Sequence, residues 1–318
     1  MILGSPPCWP TDNPAFFQNA PLDMYIQPTA SGLVASGTFG CVRNRGTRFH
    51  EGIDLKSVYR NRRNRPLDSV RAILPGIVVY VNTNAGKSTY GRYVVLQHTL
   101  DSFNYYSLYA HLHEIHVQLN QTVQQGTMLG IMGNTSCSKI PLGRAHLHFE
   151  IGLSLGSKDT FHAWYSGQGF KESNFHGEWN GMNLVGLDPL EFFKSGTDFL
   201  TFVKNQLVAF TLQVATSIIP HFIQQKQALL TMPLQAEKAL CGWEIAFNWL
   251  GCPLRWTPLY GLKLPTNTVY VLQCNPLELS QHGCRHTLEF NKRGQVFLGH
   301  VLQRQLTLLF NTRFQLFY

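Results

Sequence analysis

The chain has 318 residues, 44% of them hydrophobic and only 14% charged, which excludes a mainly disordered polypeptide and leaves room for one large domain or two ordinary ones with sizeable cores. Lys and Arg number 26 against 18 Asp and Glu, a net charge of +8, and this basic excess favours anionic partners. No window approaches 18 uninterrupted apolar residues, because even the stretch from Phe199 to Phe222 contains Lys204, Asn205 and two glutamines, so no membrane span is expected.

Residues 1 to about 30 are rich in Pro, Asn and Asp and read as an irregular lead-in wrapped against the domain that follows. Its first residues, Met1 to Cys8, carry neither the basic region nor the apolar stretch of a signal peptide, so no export leader is visible. From residue 31 to about 153, short β-rich runs alternate with breakers: Ile77 to Val81, Arg92 to Leu96, Tyr105 to Tyr109 and His146 to Ile151, separated at Pro75-Gly76, Asn84-Ala85-Gly86, Gly126 and Gly133-Asn134. The pattern predicts a mainly β, antiparallel domain with one face open as a groove. Arg60 to Arg65 reads as a solvated loop in preference to an anion site. Residues 1–100 hold 11 Lys and Arg against 5 Asp and Glu, so the basic excess lies in this first part.

Residues 154–190 contain Trp164, Tyr165, Phe170, Phe175 and Trp179 among glycines. They either line a groove or anchor the segment, and anchoring is the preferred reading; His162 and His176 are not assigned to a metal. Beyond about residue 195 the text changes. Phe210 to Val214, Gly242 to Trp249, Thr268 to Leu272, Thr287 to Phe290 and Gln295 to Leu298 read as strands, and Pro220 to Leu230 as a short helix. The organisation expected is therefore an irregular segment 1–30, a domain 31–194 with an aromatic insert 154–190, and a small α+β or β module 195–318, in which His221, His282, His286 and His300 are ordinary residues. Among seven cysteines there is no C-x-x-C, which argues against a structural zinc ribbon. Cys241 with Cys252 and Cys274 with Cys284 have hairpin-like spacings, so their pairing is left open.

Two phrases carry the chemistry: His50-Glu51-Gly52-Ile53-Asp54 and His146-Leu147-His148-Phe149-Glu150. On an extended strand, His50 and Asp54 share one face, as do His146 and His148. Brought together, two imidazoles and a carboxylate suit Zn²⁺, and three protein ligands with a fourth position left for water is the catalytic arrangement. Glu150 shares the face of His148 and is a candidate acceptor for its second ring nitrogen, although a surface carboxylate is the default reading.

Order and spacing extend the pattern through Ser36 to Gly40, Ala72 to Val78, Tyr90 to His98, Tyr109-Ala110-His111-Leu112 and Gly130 to Thr135. Over about 120 of 318 residues the chain resembles the lysostaphin/LytM family of zinc endopeptidases, which cleave peptide cross-links in bacterial cell walls. Glu51 and Ala145 depart from the usual family text, where Arg and Pro are frequent, but neither change removes a ligand.

The resemblance implies a LytM-type antiparallel groove and one Zn²⁺ held by His50, Asp54 and His148. It gives His111 and His146 as non-ligand catalytic histidines, one accepting the water proton and the other holding the oxyanion and assisting the leaving amine. No H-E-x-x-H supplies a glutamate base in their place. The implied partner is peptidoglycan peptide rather than nucleic acid, at a periplasmic or extracellular, wall-associated location. The alternative is a non-catalytic LytM-like protein that binds the wall or activates another hydrolase. Which bond is cut depends on loops 56–71, 83–91, 134–144 and 154–190, and the oligomeric state is not legible.

Overall fold

The computed structural model describes residues 6–171, 173–261, 263 and 265–317, so the opening residues of the lead-in, and with them most of the leader reading, lie outside the described residues. The chain forms two compact units. The first comprises residues up to Thr99, Asn104–Gly152 and Gly186–Asp198, and the second Leu100–Phe103, Leu153–Val185 and the chain from Phe199 on. Most of the aromatic segment 154–190 thus clusters with the second unit, whereas the boundaries read from the sequence group it with the first.

The chain up to residue 187 forms short strands, most of them in the first unit: β1 Gly40–Arg43, β2 Arg48–His50, β3 Ile53–Lys56, β4 Ser69–Arg71, β5 Gly76–Asn82, β6 Tyr93–Leu100, β7 Phe103–Ala110, β8 Glu114–Ile115, β9 Thr122–Val123, β10 Met128–Ile131, β11 His146–Ser154 and β12 Leu184–Leu187. The main sheet runs β12-β11-β7-β6-β5-β9, with β3 also paired to β11, and the registered pairs are antiparallel. The mainly β, antiparallel fold expected from the sequence is what forms. β6 is buried on both faces at Val94, Val95 and Leu96, and β11 buries Leu147, Phe149 and Ile151, so the central strands are more apolar than simple alternation would give.

The lead-in packs on this sheet through aromatic rings. Trp9 stacks on Phe16 at 4.4 Å, and Trp9 meets Phe193 at 4.9 Å. Tyr25 and Gln27 pair with β3 through Lys56 N–H to Tyr25 O and Gln27 N–H to Asp54 O, each 2.8 Å. The strand carrying Asp54 is therefore flanked by β11 on one side and by the lead-in on the other.

One local expectation fails. Residues 50–54 are not a single extended strand, because the chain bends at Glu51-Gly52 between β2 and β3. A Cβ at Gly52 would lie 2.2 Å from Phe149 O, so only glycine allows the bend to press against β11. The bend brings His50 and Asp54 together where strand alternation was expected to do so.

In the second unit, β13 Phe210–Ala215, β14 Leu240–Phe247, β15 Pro253–Tyr260, β16 Thr268–Cys274 and β19 Gln315–Phe317 form a sheet ordered β15-β14-β13-β16-β19, and β17 Leu288–Phe290 pairs with β18 Val296–Leu298. The helix His300–Phe310 buries Val301, Leu302, Leu306, Leu309 and Phe310, and Trp243 and Trp256 meet edge to face at 5.4 Å. The unit is thus α+β. Phe161 and Trp164 are buried in the helix Lys158–Ser166, so they anchor their segment.

The helix expected over Pro220 to Leu230 shortens to His221–Gln224 followed by a 3₁₀ turn at Gln227–Leu229. Cys241, Cys252 and Cys274 are free thiols, so neither hairpin-spaced pairing forms. Cys241 sits at the open end of the β14–β15 ladder beside Gly242↔Leu259, and Cys252 at the turn beside Phe247↔Pro253, a full strand length apart. No helix among the described residues is long and apolar enough to cross a membrane.

Within the first unit, His98 is fully enclosed. Its Nδ1–H donates to Pro75 O at 2.8 Å, leaving Nε2 to accept from Ser107 Oγ at 2.7 Å. Burial pushes its pKa down to about 4, against about 6.5 in an unfolded chain. Between these values the unfolded state binds the extra proton, so this contribution is complete above pH ~6.5 and is lost as pH falls towards ~4, about 3 kcal/mol in all. Chemical denaturation at stepped pH should show stability falling across that window in the parent chain. His98→Gln should be less stable at neutral pH yet lose less on acidification, and equal acid losses would contradict this role.

Candidate metal centre

Antiparallel pairing of β3 with β11 sets Asp54 directly opposite His148, and β1–β2 pairing sets Gly40 opposite His50. The side chains of His50, Asp54 and His148 converge, all of them buried. His50 Nε2 lies 3.1 Å from His148 Nδ1 and 3.2 Å from Asp54 Oδ1, and His148 Nδ1 is 3.0 Å from Asp54 Oδ1. A tetrahedral ion with bonds of about 2.0–2.1 Å needs donor separations of about 3.3 Å. The three donor separations match a zinc-sized cation, which would take the His50 Nε2 lone pair from the Arg43 guanidinium 2.7 Å away.

The surrounding hydrogen bonds orient the rings for that purpose. His50 Nδ1–H donates to Thr38 O at 2.7 Å, so its Nε2 is the lone-pair nitrogen facing Asp54 and His148. His148 turns Nε2 to Glu150 Oε1 at 2.9 Å, and the Tyr90 hydroxyl donates to the same oxygen at 2.6 Å. Glu150 is therefore buried and engaged, and the default reading of a surface carboxylate is overturned: β11 is covered on both faces, so strand alternation carries Glu150 inward with His146 and His148. Burial and the adjacent Glu150 raise the Tyr90 pKa well above its ordinary value, which keeps it a phenol donor.

The charges are strongly coupled. Burial opposes ionisation of Asp54, but His50, His146 and His148 outweigh it and hold the carboxyl well below the usual carboxylate range. Burial likewise opposes protonation of His148, and the hydrogen bonds to Asp54 and Glu150 reverse this, holding it up at about 9. Arg43, at the end of β1, adds a cation whose Nη2 lies 2.6 Å from Asp54 Oδ2 and 2.7 Å from His50 Nε2.

His111 and His146 stand beside this cluster, with ring centroids 4.8 Å apart. His111 Nδ1–H donates to Thr135 O at 2.8 Å and His146 Nδ1–H to Arg144 O at 2.7 Å. A carbonyl can only accept, so each ring keeps an unprotonated Nε2, and that of His146 is 3.5 Å from Asp54 Oδ1. Burial, reinforced for His111 by the neighbouring histidines, pushes the pKa of both below the ordinary histidine value. His111 adopts φ +63°, the left-handed region that a non-glycine residue occupies only when its surroundings enforce it.

All five residues singled out in the sequence thus meet in one place. Sequence reasoning missed Arg43 and Tyr90, which arrive from outside the two histidine phrases, and it missed Arg60. Arg60 donates to Leu142 O at 2.9 Å and Ala145 O at 3.2 Å, tying the arginine-rich loop to the residues just before His146. The run of arginines was the available signal, since a loop that only needs solvation does not require guanidinium forks.

Residues 48–159 match the sequence profile of peptidase family M23. No curated protein matches the chain. Among solved structures, the catalytic domain of lysostaphin from Staphylococcus simulans is 20% identical with a TM-score of 0.31, covering 54% of this chain and 95% of that one. A zinc-containing peptidase from Vibrio cholerae is 27% identical with a TM-score of 0.25, covering 32% and 26%. A Pseudomonas aeruginosa protein described as a peptidase M23 is 24% identical with a TM-score of 0.25, covering 32% and 37%. The chain thus spans well under two thirds of the length of the last two. His50, Asp54 and His148 all lie within the residues that match peptidase family M23.

Proposed function

We propose that the first unit is a zinc-dependent endopeptidase that hydrolyses peptide bonds in peptidoglycan stems or cross-links, with His50 Nε2, Asp54 Oδ1 and His148 Nδ1 as metal ligands. The observation that carries this reading is the set of three mutual donor separations, 3.0–3.2 Å, beside two further imidazoles whose free nitrogens are fixed by backbone acceptors. Bound zinc would supply Lewis acidity for the scissile carbonyl and lower the pKa of a coordinated water from ~15.7 to ~7.

The chain's own residues supply proton handling. His111 and His146 have neutral Nε2 atoms on the same side of the cluster, so one can accept a proton from the attacking water. That histidine, now an imidazolium, can return the same proton to the leaving amine, while the other can hold the developing oxyanion only after taking up a proton from solvent. Asp54 neutralises one of the two metal charges, leaving a net charge of about +1. Glu150, with Tyr90 behind it, orients His148, and Arg43 holds the second oxygen of Asp54 so that Oδ1 faces the histidines. A non-catalytic wall-binding protein would not need the paired His111 and His146, and their presence beside the cluster favours catalysis. The division into 1–30, 31–194 and 195–318 is part of this proposal, with residues 195–318 as an accessory module for wall binding.

Asp54→Ala and His148→Ala should abolish zinc binding at the buried centre together with wall lysis, read by metal analysis and by mass spectrometry of a muropeptide digest. His146→Ala should keep zinc while turnover falls about 10²–10⁴-fold; full lysis by the Asp54 variant would overturn the assignment. Glu150→Gln, measured by competition with a chromogenic chelator, should weaken zinc affinity about 10–100-fold, and an unchanged affinity would remove Glu150 from the orienting role.

A further inference from the structure

A second group of metal-capable side chains lies in the second unit, independent of the function proposed above. His286, Glu289 and His300 each present one donor atom within 4.8 Å of the others, and all three residues are exposed. His286 Nδ1 is 3.0 Å from Glu289 Oε1, and the rings of His286 and His300 lie 5.1 Å apart at 40°. We propose that these three residues form a second divalent-cation site, taking Zn²⁺ or a similar first-row ion and joining the β17–β18 hairpin to the start of the helix His300–Phe310.

The backbone beneath the three side chains is already stitched together. Gly299 N–H donates to Thr287 O at 2.8 Å and Val301 N–H to His286 O at 3.3 Å. A Cβ at position 299 would lie 2.0 Å from His286 O, so glycine there lets the two segments touch. His286 itself is held at φ +51°, which turns its ring beside His300. A cation therefore has only exposed side-chain torsions to adjust in order to shorten the donor separations to about 3.3 Å.

The donor chemistry narrows the ion. Two imidazoles and one carboxylate suit Zn²⁺ and its first-row neighbours, while Ca²⁺ and Mg²⁺ require mainly oxygen ligands. Glu289 contributes the single negative charge. Arg285, Arg304 and the positive end of the helix act against a cation, so this site binds more weakly than the buried one. The exposed position leaves further coordination places to water.

The test counts zinc bound per full-length chain by equilibrium dialysis with metal analysis at saturating free Zn²⁺, alongside circular dichroism to verify folding. The parent chain should bind two ions, His300→Ala one, Asp54→Ala one, and the double variant none; His286→Gln should reproduce His300→Ala. The second site is overturned if His300→Ala and His286→Gln leave the count unchanged, or if the parent binds one ion that Asp54→Ala removes. A loss with His300→Ala but none with Asp54→Ala would support this site while contradicting the buried one.

Discussion

The pairing of β3 with β11 is the constraint on which the site depends. It sets Asp54 across from His148 and, by strand alternation, points His146, His148 and Glu150 to one side. A slip of one residue would turn that whole set to the opposite face. The register is held by Leu55 and Leu147, opposite one another and fully buried, and by the lead-in, whose backbone pairs with the outer edge of β3.

Burying a carboxylate among four imidazoles is costly unless each polar atom has a partner. Here every ring nitrogen turned away from the cluster has one: Thr38 O for His50, Thr135 O for His111, Arg144 O for His146 and Glu150 for His148. These acceptors fix which nitrogen of each ring carries the proton. The site is therefore preorganised spatially, while a metal ion would have to displace the His148 Nδ1 proton that faces Asp54. The left-handed backbone at His111 belongs to the same arrangement, since it turns the ring towards His146.

Much of this was legible in the residues because it is local. The His-x-His alternation survives unchanged in β11, and the β-rich runs of the first unit became strands within a few residues of their expected ends. What was not legible depends on distant chain meeting: Arg43 on Asp54, Tyr90 on Glu150, Arg60 on Ala145 O. The spacing of His50 and Asp54 gave the right convergence for a wrong reason, since a glycine bend replaces the extended strand. In the second unit the helix His300–Phe310 was overlooked although Val301, Leu302, Leu306, Leu309 and Phe310 repeat with helical period after a glycine. A preceding run of strand-like residues masked it. Free Cys241 and Cys252 show the same limit, because sequence spacing says nothing about which end of a hairpin each occupies.

The most direct measurement is X-ray absorption at the zinc edge on the His300→Ala chain, in which only the buried centre should load. The account requires two imidazole nitrogens and one carboxylate oxygen in the first shell, completed by a light oxygen scatterer at about 2.0 Å. A shell containing sulfur, or three or more imidazoles, would contradict it.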